Sequence, residues 1–303
     1  MDVTTQQGQD ALVRVARTAM RRKRLVRRVV GRGGRYLASL LVAVVLIGPV
    51  LWMALTTLEP PAELASHSLS IDIRSLSFDN YNEAIFGIPG FGRVDLTGGL
   101  WRSFLTASIS SLISLNVSAL AAYALARFSF RGRRVVSIGI LSTQAVPAIL
   151  LVVPLFSLLQ GVGLTNTLQG LLLVYTAITL PFSTILLRGY FATLPTEIEQ
   201  AGLIDGCGYL GVLFRLVYPL ALPAFVAVFI FDFLSIWNEF LFAFILSGNY
   251  QTLTVTLYGF SSNQNIYWGP LLAGAVLATI PAVVIFLPLQ RFLVQGLTAG
   301  GIK

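Results

Sequence analysis

Apolar and polar positions fall along this chain in long blocks, not in the short alternations of a soluble protein. Six apolar runs stand out, at 36–58, 103–126, 135–159, 168–187, 219–246 and 270–289. Each reaches the roughly 20 residues that a helix needs to cross the hydrocarbon of a bilayer. Five contain no charged residue, and the fifth in chain order contains two, Asp232 and Glu239. A helix satisfies its own backbone polar groups in lipid, so the pattern predicts an all-α, polytopic membrane protein with six transmembrane helices. The spans and the segments joining them form a domain over 36–290, preceded by an arm at 1–35 and followed by a tail at 291–303. The first run is longer than the 7–15 apolar residues of a signal peptide and follows a 35-residue basic arm, so it reads as an uncleaved span.

The polar segments carry their own pattern. Between the fourth and fifth runs lies 188–218, and within it the stretch 195–219 reads as two short helices joined by a turn. Thr196 and Glu199 have the spacing of a capping box, which starts a helix that runs to Ile204. Asp205-Gly206 supplies a turn in which glycine is free to take positive φ. Leu210, Leu213, Phe214 and Val217 recur at i, i+3, i+4 and i+7, the apolar stripe of a second helix. Pro219 and Pro223 then lead into the fifth run. Such an elbow either fills a groove on a partner with its apolar ridge or folds back on its own bundle.

Two longer polar segments, 59–102 and 247–269, lie on the opposite side. In the first, Ser77-Phe78-Asp79-Asn80-Tyr81 predicts a short helix capped by Ser77 or Asp79. The second sets Asn263, Gln264 and Asn265 among tyrosines and Trp268. That mixture suits contact with a protein or a sugar, and equally an interfacial aromatic belt.

Composition agrees with the pattern: 55% of residues are hydrophobic, 11% are charged, and the mean hydropathy is +0.79. Charge then orients the spans. Of the 21 Lys and Arg residues, 18 fall in the arm, in the loops after spans two and four, and in the C-terminal tail. Arg74, Arg93 and Arg102 alone fall on the other side. Positive charge concentrates on the cytoplasmic face, so both termini are expected in the cytoplasm. The net charge of +8 is thus a topology signal. The block 21–28 suits anionic lipid headgroups and gives no reason to invoke nucleic acid. Gly31, Gly33 and Gly34 form a joint before the first span. One cysteine, Cys207, excludes an intrachain disulfide, and His67 stands without clustered ligands, so no metal site is expected.

Polar residues inside the spans are the candidates for a solute pathway. An Asp at a helix centre costs about 2.5–3.5 kcal/mol on insertion scales and therefore faces the bundle interior or water. Asp232, Ser235 and Glu239 sit at i, i+3 and i+7, which places them along one helix face with Asn238 and Trp237 beside them. They either meet solute hydroxyls or bond to neighbouring helices. Gln144, Tyr175 and Thr179 are further lining candidates. Ser108, Ser111, Ser114 and Ser118 read as small-residue packing. Pro147, Pro154 and Pro181 are positions where helices kink.

At this point the residues resemble a known family. The Asp205-Gly206 turn, with Pro195 before it and Pro219 and Pro223 after it, is similar to the coupling loop of ABC importer permeases. Thr143-Gln144-Ala145-Val146-Pro147, Pro154-Leu155-Phe156, Trp237-Asn238-Glu239-Phe240 and the end Gly296-Leu297-Thr298-Ala299-Gly300-Gly301-Ile302-Lys303 resemble its carbohydrate, maltose-type branch. The likeness covers about 36–303. It departs where the family's Glu-Ala-Ala reads Gln200-Ala201-Gly202 and where its Ala-Ser reads Cys207-Gly208.

The resemblance implies the type I permease fold and a permease subunit of a binding-protein-dependent, ATP-driven importer for a mono-, di- or oligosaccharide. Its partners would be a second homologous permease, two cytoplasmic ATPase subunits and an external solute-binding protein. ATP and Mg would be bound by the ATPase chains, since this chain has no GxxxxGK[ST] phosphate loop and needs no cofactor of its own. The coupling residues it implies are Glu197, Glu199, Gln200, Ala201, Asp205, Gly206, Leu210, Leu213 and Phe214. The segment holding Asn263, Gln264 and Asn265 would reach the binding protein. A sugar-phosphate or glycerol-phosphate permease, or an ion-coupled transporter working through Asp232 or Glu239, are the alternative readings.

Overall fold

The computed structural model describes residues 36, 38–60, 75–90, 94–261 and 266–299, with side chains as far as 292. The basic arm 1–35, His67, Asn263, Gln264, Asn265 and the last residues of the tail lie outside the described residues. The chain divides into two units, Met1–Thr56 and Thr57–Lys303. In the first, helix α1 (Ala38–Thr56) has a mean hydropathy of 2.4, and its apolar side chains point outward on every side. A helix apolar all round suits lipid as its surroundings.

In the second unit, helix α2 (Asp79–Phe86) lies in the first of the two longer polar segments. Its N-cap position is Phe78, and neither Ser77 nor Asp79 caps it in the expected way; Ser77 Oγ accepts only a 3.4 Å bond from the Asp79 amide. The helix is held instead by fully buried Asn80, whose amide donates to the Thr57 and Glu59 carbonyls at 3.0 and 2.6 Å.

Helix α3 (Leu96–Arg127) starts seven residues before the expected boundary at 103. Asp95 makes this possible, because its carboxylate accepts from the Gly98 amide and also binds Arg102 at 3.0 Å. At 32 residues α3 is about 48 Å long, so both ends project past a hydrocarbon layer about 30 Å thick. That length lets Arg102 and Arg127 sit on one helix without entering lipid. Helix α6 (Leu168–Phe191), capped by Thr167, makes the most extensive helix pair with α3. Many of the buried positions of α3 are small: Ala107, Ser110, Ser111, Ser114, Ser118, Ala119 and Ala122. Small side chains let helix backbones approach where no hydrophobic force drives them together.

Two expected spans are not continuous. The third is broken into α4 (Arg133–Thr143) and α5 (Ala148–Gly161), which meet at 99°. Pro147 has no amide to donate and pushes Val146 out of the helical region, so the chain turns there. The fifth run is likewise divided. Helix α8 (Tyr209–Leu220) meets α9 (Leu222–Trp237) at 80°, and a short α10 (Leu241–Leu246) follows an interruption at 238–240. Helices α11 (Leu253–Tyr258) and α12 (Trp268–Ala299) complete the unit with α7 (Thr196–Ile204). Among the described residues, counting each bent pair once, six elements are long and apolar enough to cross a membrane. Two cores result: one around Phe233, Trp237, Phe260 and Leu171, and a second where α7 and α8 meet the ends of α3 and α6.

Candidate functional site

The elbow is built on that second core. Helix α7 begins at Thr196 with Pro195 in the N-cap position, and no side chain caps it. The expected capping box is therefore absent, because Thr196 lies one position inside the helix. Glu199 is used differently. Its carboxylate is turned inward and buried, accepting from Arg127 at 2.7 and 2.8 Å and from the Tyr123 hydroxyl at 3.0 Å. Arg127 also donates to the Leu194 carbonyl at 3.0 Å. The foot of the elbow is thus bolted to the end of α3.

The turn forms as its residues dictate. Gly206 takes φ +85°, its amide donates to the Leu203 carbonyl, and the Cys207 amide donates to the Gly202 carbonyl. These two bonds are the Schellman pattern that closes a helix on a left-handed glycine. Gly202 also permits the close approach of the two helices: a Cβ there would lie 2.5 Å from Leu216 Cδ1.

The apolar stripe expected on α8 is split. A π-helical turn, Leu213–Val217, shifts the register, so Leu213 and Val217 are buried while Leu210 and Phe214 point out. With Ile204, which is 86% exposed, Leu210 and Phe214 make an outward apolar ridge flanked by Tyr209. Glu197, Gln200, Ala201, Asp205 and Gly206 share that exposed surface. Of the nine expected coupling residues, Glu199 and Leu213 face inward.

The polar residues of the spans are not gathered on one face. Asp232 is fully buried, and both its oxygens accept from Ser183 Oγ at 2.8 Å. Ser114 approaches the same carboxylate without completing a well-formed bond. Glu239 accepts from the Tyr175 hydroxyl at 2.7 Å and from the Phe242 and Ala243 amides, so it caps α10. Ser183 and Tyr175 on α6 thus bind Asp232 and Glu239, forming two rungs about two helical turns apart between antiparallel segments. Thr179 lies between the rungs and bonds to the Tyr175 carbonyl of its own helix.

Ser235 and Asn238 point away from these rungs and are exposed, and so is Gln144 at the α4–α5 break. Asn238 lines a cleft of about 250 Å³ with Trp237, Thr254 and Thr279. No local pattern points to Thr254 or Thr279 as lining residues, nor to Arg127 and Tyr123 as partners of Glu199. Among the described residues no cluster of His, Cys, Asp or Glu is placed to hold a metal.

Continuous and broken apolar helices whose buried carboxylates are bonded internally define a helical membrane protein. The chain belongs to the family described as binding-protein-dependent transport system inner membrane component, which matches residues 117–299 and so includes the elbow and the rungs. It is 32% identical over 279 residues to the inner membrane ABC transporter permease protein YcjP of Escherichia coli (strain K12), spanning 91% of this chain and 98% of that one. It is also 32% identical to the trehalose/maltose transport system permease protein MalG of Thermococcus litoralis, over 88% of this chain and 95% of that one. A third relative, the diacetylchitobiose uptake system permease protein NgcG of Streptomyces coelicolor, is 32% identical over 85% of this chain and 84% of its own length. Among solved structures, a bacterial ABC transporter involved in import of the acidic polysaccharide alginate matches with a TM-score of 0.72 at 21% identity. The match covers 88% of this chain and 96% of that one, and shows a shared fold.

Proposed function

We propose that this chain is one of two permease subunits of an ATP-driven importer that passes a sugar from an external binding protein to the cytoplasm. Both termini lie on the cytoplasmic side, and two ATPase subunits on partner chains bind ATP and Mg. The elbow transmits ATPase closure to the spans. The observation that carries this reading is the ridge of Ile204, Leu210 and Phe214, exposed on an elbow whose foot is locked to α3 by Arg127 and Glu199. Exposed apolar surface on a rigid mount suits a partner's groove, and the lock lets force on the ridge move α3.

The relatives named for trehalose, maltose and diacetylchitobiose support a sugar as the solute. The cleft beside α9 supports it too, since Asn238, Thr254 and Thr279 supply donors and acceptors for hydroxyl groups. Asp232 and Glu239 hold helices together in this reading and leave the solute to the cleft.

The test is to replace Leu210 and Phe214 with Glu in the chain expressed with the partner subunits proposed above. ATP-dependent sugar uptake and co-purification of the ATPase should both fall, while membrane insertion persists. Uptake and ATPase assembly at normal levels would overturn the coupling role.

A further inference from the structure

At the end of α4 the structure contains a second cleft, of about 510 Å³, that the proposed transport function does not use. Three arginines line it: Arg133 and Arg134 from the first turn of α4, and Arg188 from the last turn of α6. None of the three forms an ion pair with a described carboxylate, and no Asp or Glu is among the lining residues. Ser137 also lines it one turn further along α4, its hydroxyl donating to the Arg133 carbonyl at 2.8 Å. The first turn of a helix also carries partial positive charge, which adds to the field of the guanidinium groups.

The rest of the wall is apolar. Phe130, Val135 and Ile138 line it, and Val135 and Ile138 are 73% and 51% exposed on a surface that continues along α4 through Leu141. Three unpaired guanidinium groups set beside an outward apolar strip fit a molecule with an anionic head and hydrocarbon tails. Arginine matches phosphate oxygens with paired donors in fixed geometry. Basic pockets between helices on the cytoplasmic side are where anionic lipid headgroups bind.

We propose that this cleft is a binding site for an anionic phospholipid of the cytoplasmic leaflet. Its phosphate sits among Arg133, Arg134 and Arg188, and its acyl chains lie along Val135 and Ile138. The assignment to that leaflet rests on the concentration of 18 of 21 basic residues on one side. The lipid adds to the direct contact between α4 and α6 at the foot of the broken third span.

The test uses the full chain, purified in detergent, stripped of lipid and reloaded with equal amounts of phosphatidylglycerol and phosphatidylcholine. Retained lipids are counted by native mass spectrometry. The unsubstituted chain should retain phosphatidylglycerol preferentially. Each arginine near an anionic surface contributes about a fivefold preference, so Arg133→Gln, Arg134→Gln and Arg188→Gln together should lower it on the order of 100-fold. Arg215→Gln, outside the cleft, should leave it unchanged.

If the triple variant fails to fold, Arg188→Gln alone decides, with an expected loss of about fivefold. An unchanged preference in either variant overturns the proposal, as does an equal loss in Arg215→Gln. Displacement of phosphatidylglycerol by inorganic phosphate at matching concentration would make the cleft a free-anion site and overturn the lipid. Loss of a co-purifying protein with lipid retention unchanged would make it a protein contact, with the same consequence.

Discussion

Arg127 and Glu199 are charged side chains only 12% and 10% exposed, and each is acceptable there because of the other. Removing one partner of such a pair leaves a buried charge unanswered and costs about 3–5 kcal/mol. Some water reaches this end of α3, so Glu199→Met or Arg127→Met should each cost on the order of 3 kcal/mol, the lower end of that range. The double replacement removes both charges at once and should cost clearly less than the sum, with a coupling of about 1–3 kcal/mol. Unfolding of the four proteins in mixed micelles measures the cycle, and strict additivity would mean that the bridge does not hold the elbow. Glu199 was legible in the sequence as a member of the elbow, yet its role was not. Its partner lies 72 residues away and is set by how α3 and α6 pack, which local spacing does not encode. The same holds for Asp232: its helix position was readable, but whether Ser183 or solute would meet it depended on the rotation of α6 against α9.

At the scale of elements, the apolar runs announced the spans and the Asp205-Gly206 pair announced the turn, because hydropathy and backbone strain are local properties. The breaks were harder to see. In the run 135–159 Pro147 marks a kink, but a bend as large as 99° depends on how the two halves pack against the rest of the bundle, which local composition does not encode. The π turn of α8 was also hidden, since the sequence Leu210, Leu213, Phe214, Val217 fits an ideal α-helix. A π turn holds one residue more than the α-helical turn it replaces. Deleting Arg215 should therefore restore α-helical register and rotate the residues before it by about 100° relative to α9. Leu210 would leave the exposed ridge while the spans stay intact. ATP-dependent uptake should fall and membrane insertion should persist, whereas Arg215→Ala, which keeps the residue count, should transport normally. Normal uptake by the deletion variant would show that the π register does not aim the ridge.

At the scale of the whole molecule, the distribution of Lys and Arg predicts which side of the membrane the elbow faces, and the lone cysteine provides a way to test it. Cys207 is the residue after Gly206 and is partly exposed at the turn of the elbow, so a thiol reagent reaches it without unfolding the chain. Because the sequence contains no second cysteine, any label on this chain reports that one position. A maleimide that cannot cross the membrane should leave Cys207 unmodified in intact cells and modify it in inverted vesicles. Labelling in intact cells would place the elbow outside, and with it the interpretation of 18 basic residues as a cytoplasmic face. Partner chains sharpen the same measurement. Cys207 neighbours Ile204 and Leu210, so an ATPase seated on that ridge should slow its labelling, and stripping the ATPase from inverted vesicles should restore the rate. If stripping leaves the rate unchanged, the ridge is not the seat, even where the topology is right. The two outcomes are thus separable: the side on which Cys207 reacts tests the orientation, and the change on stripping tests the docking.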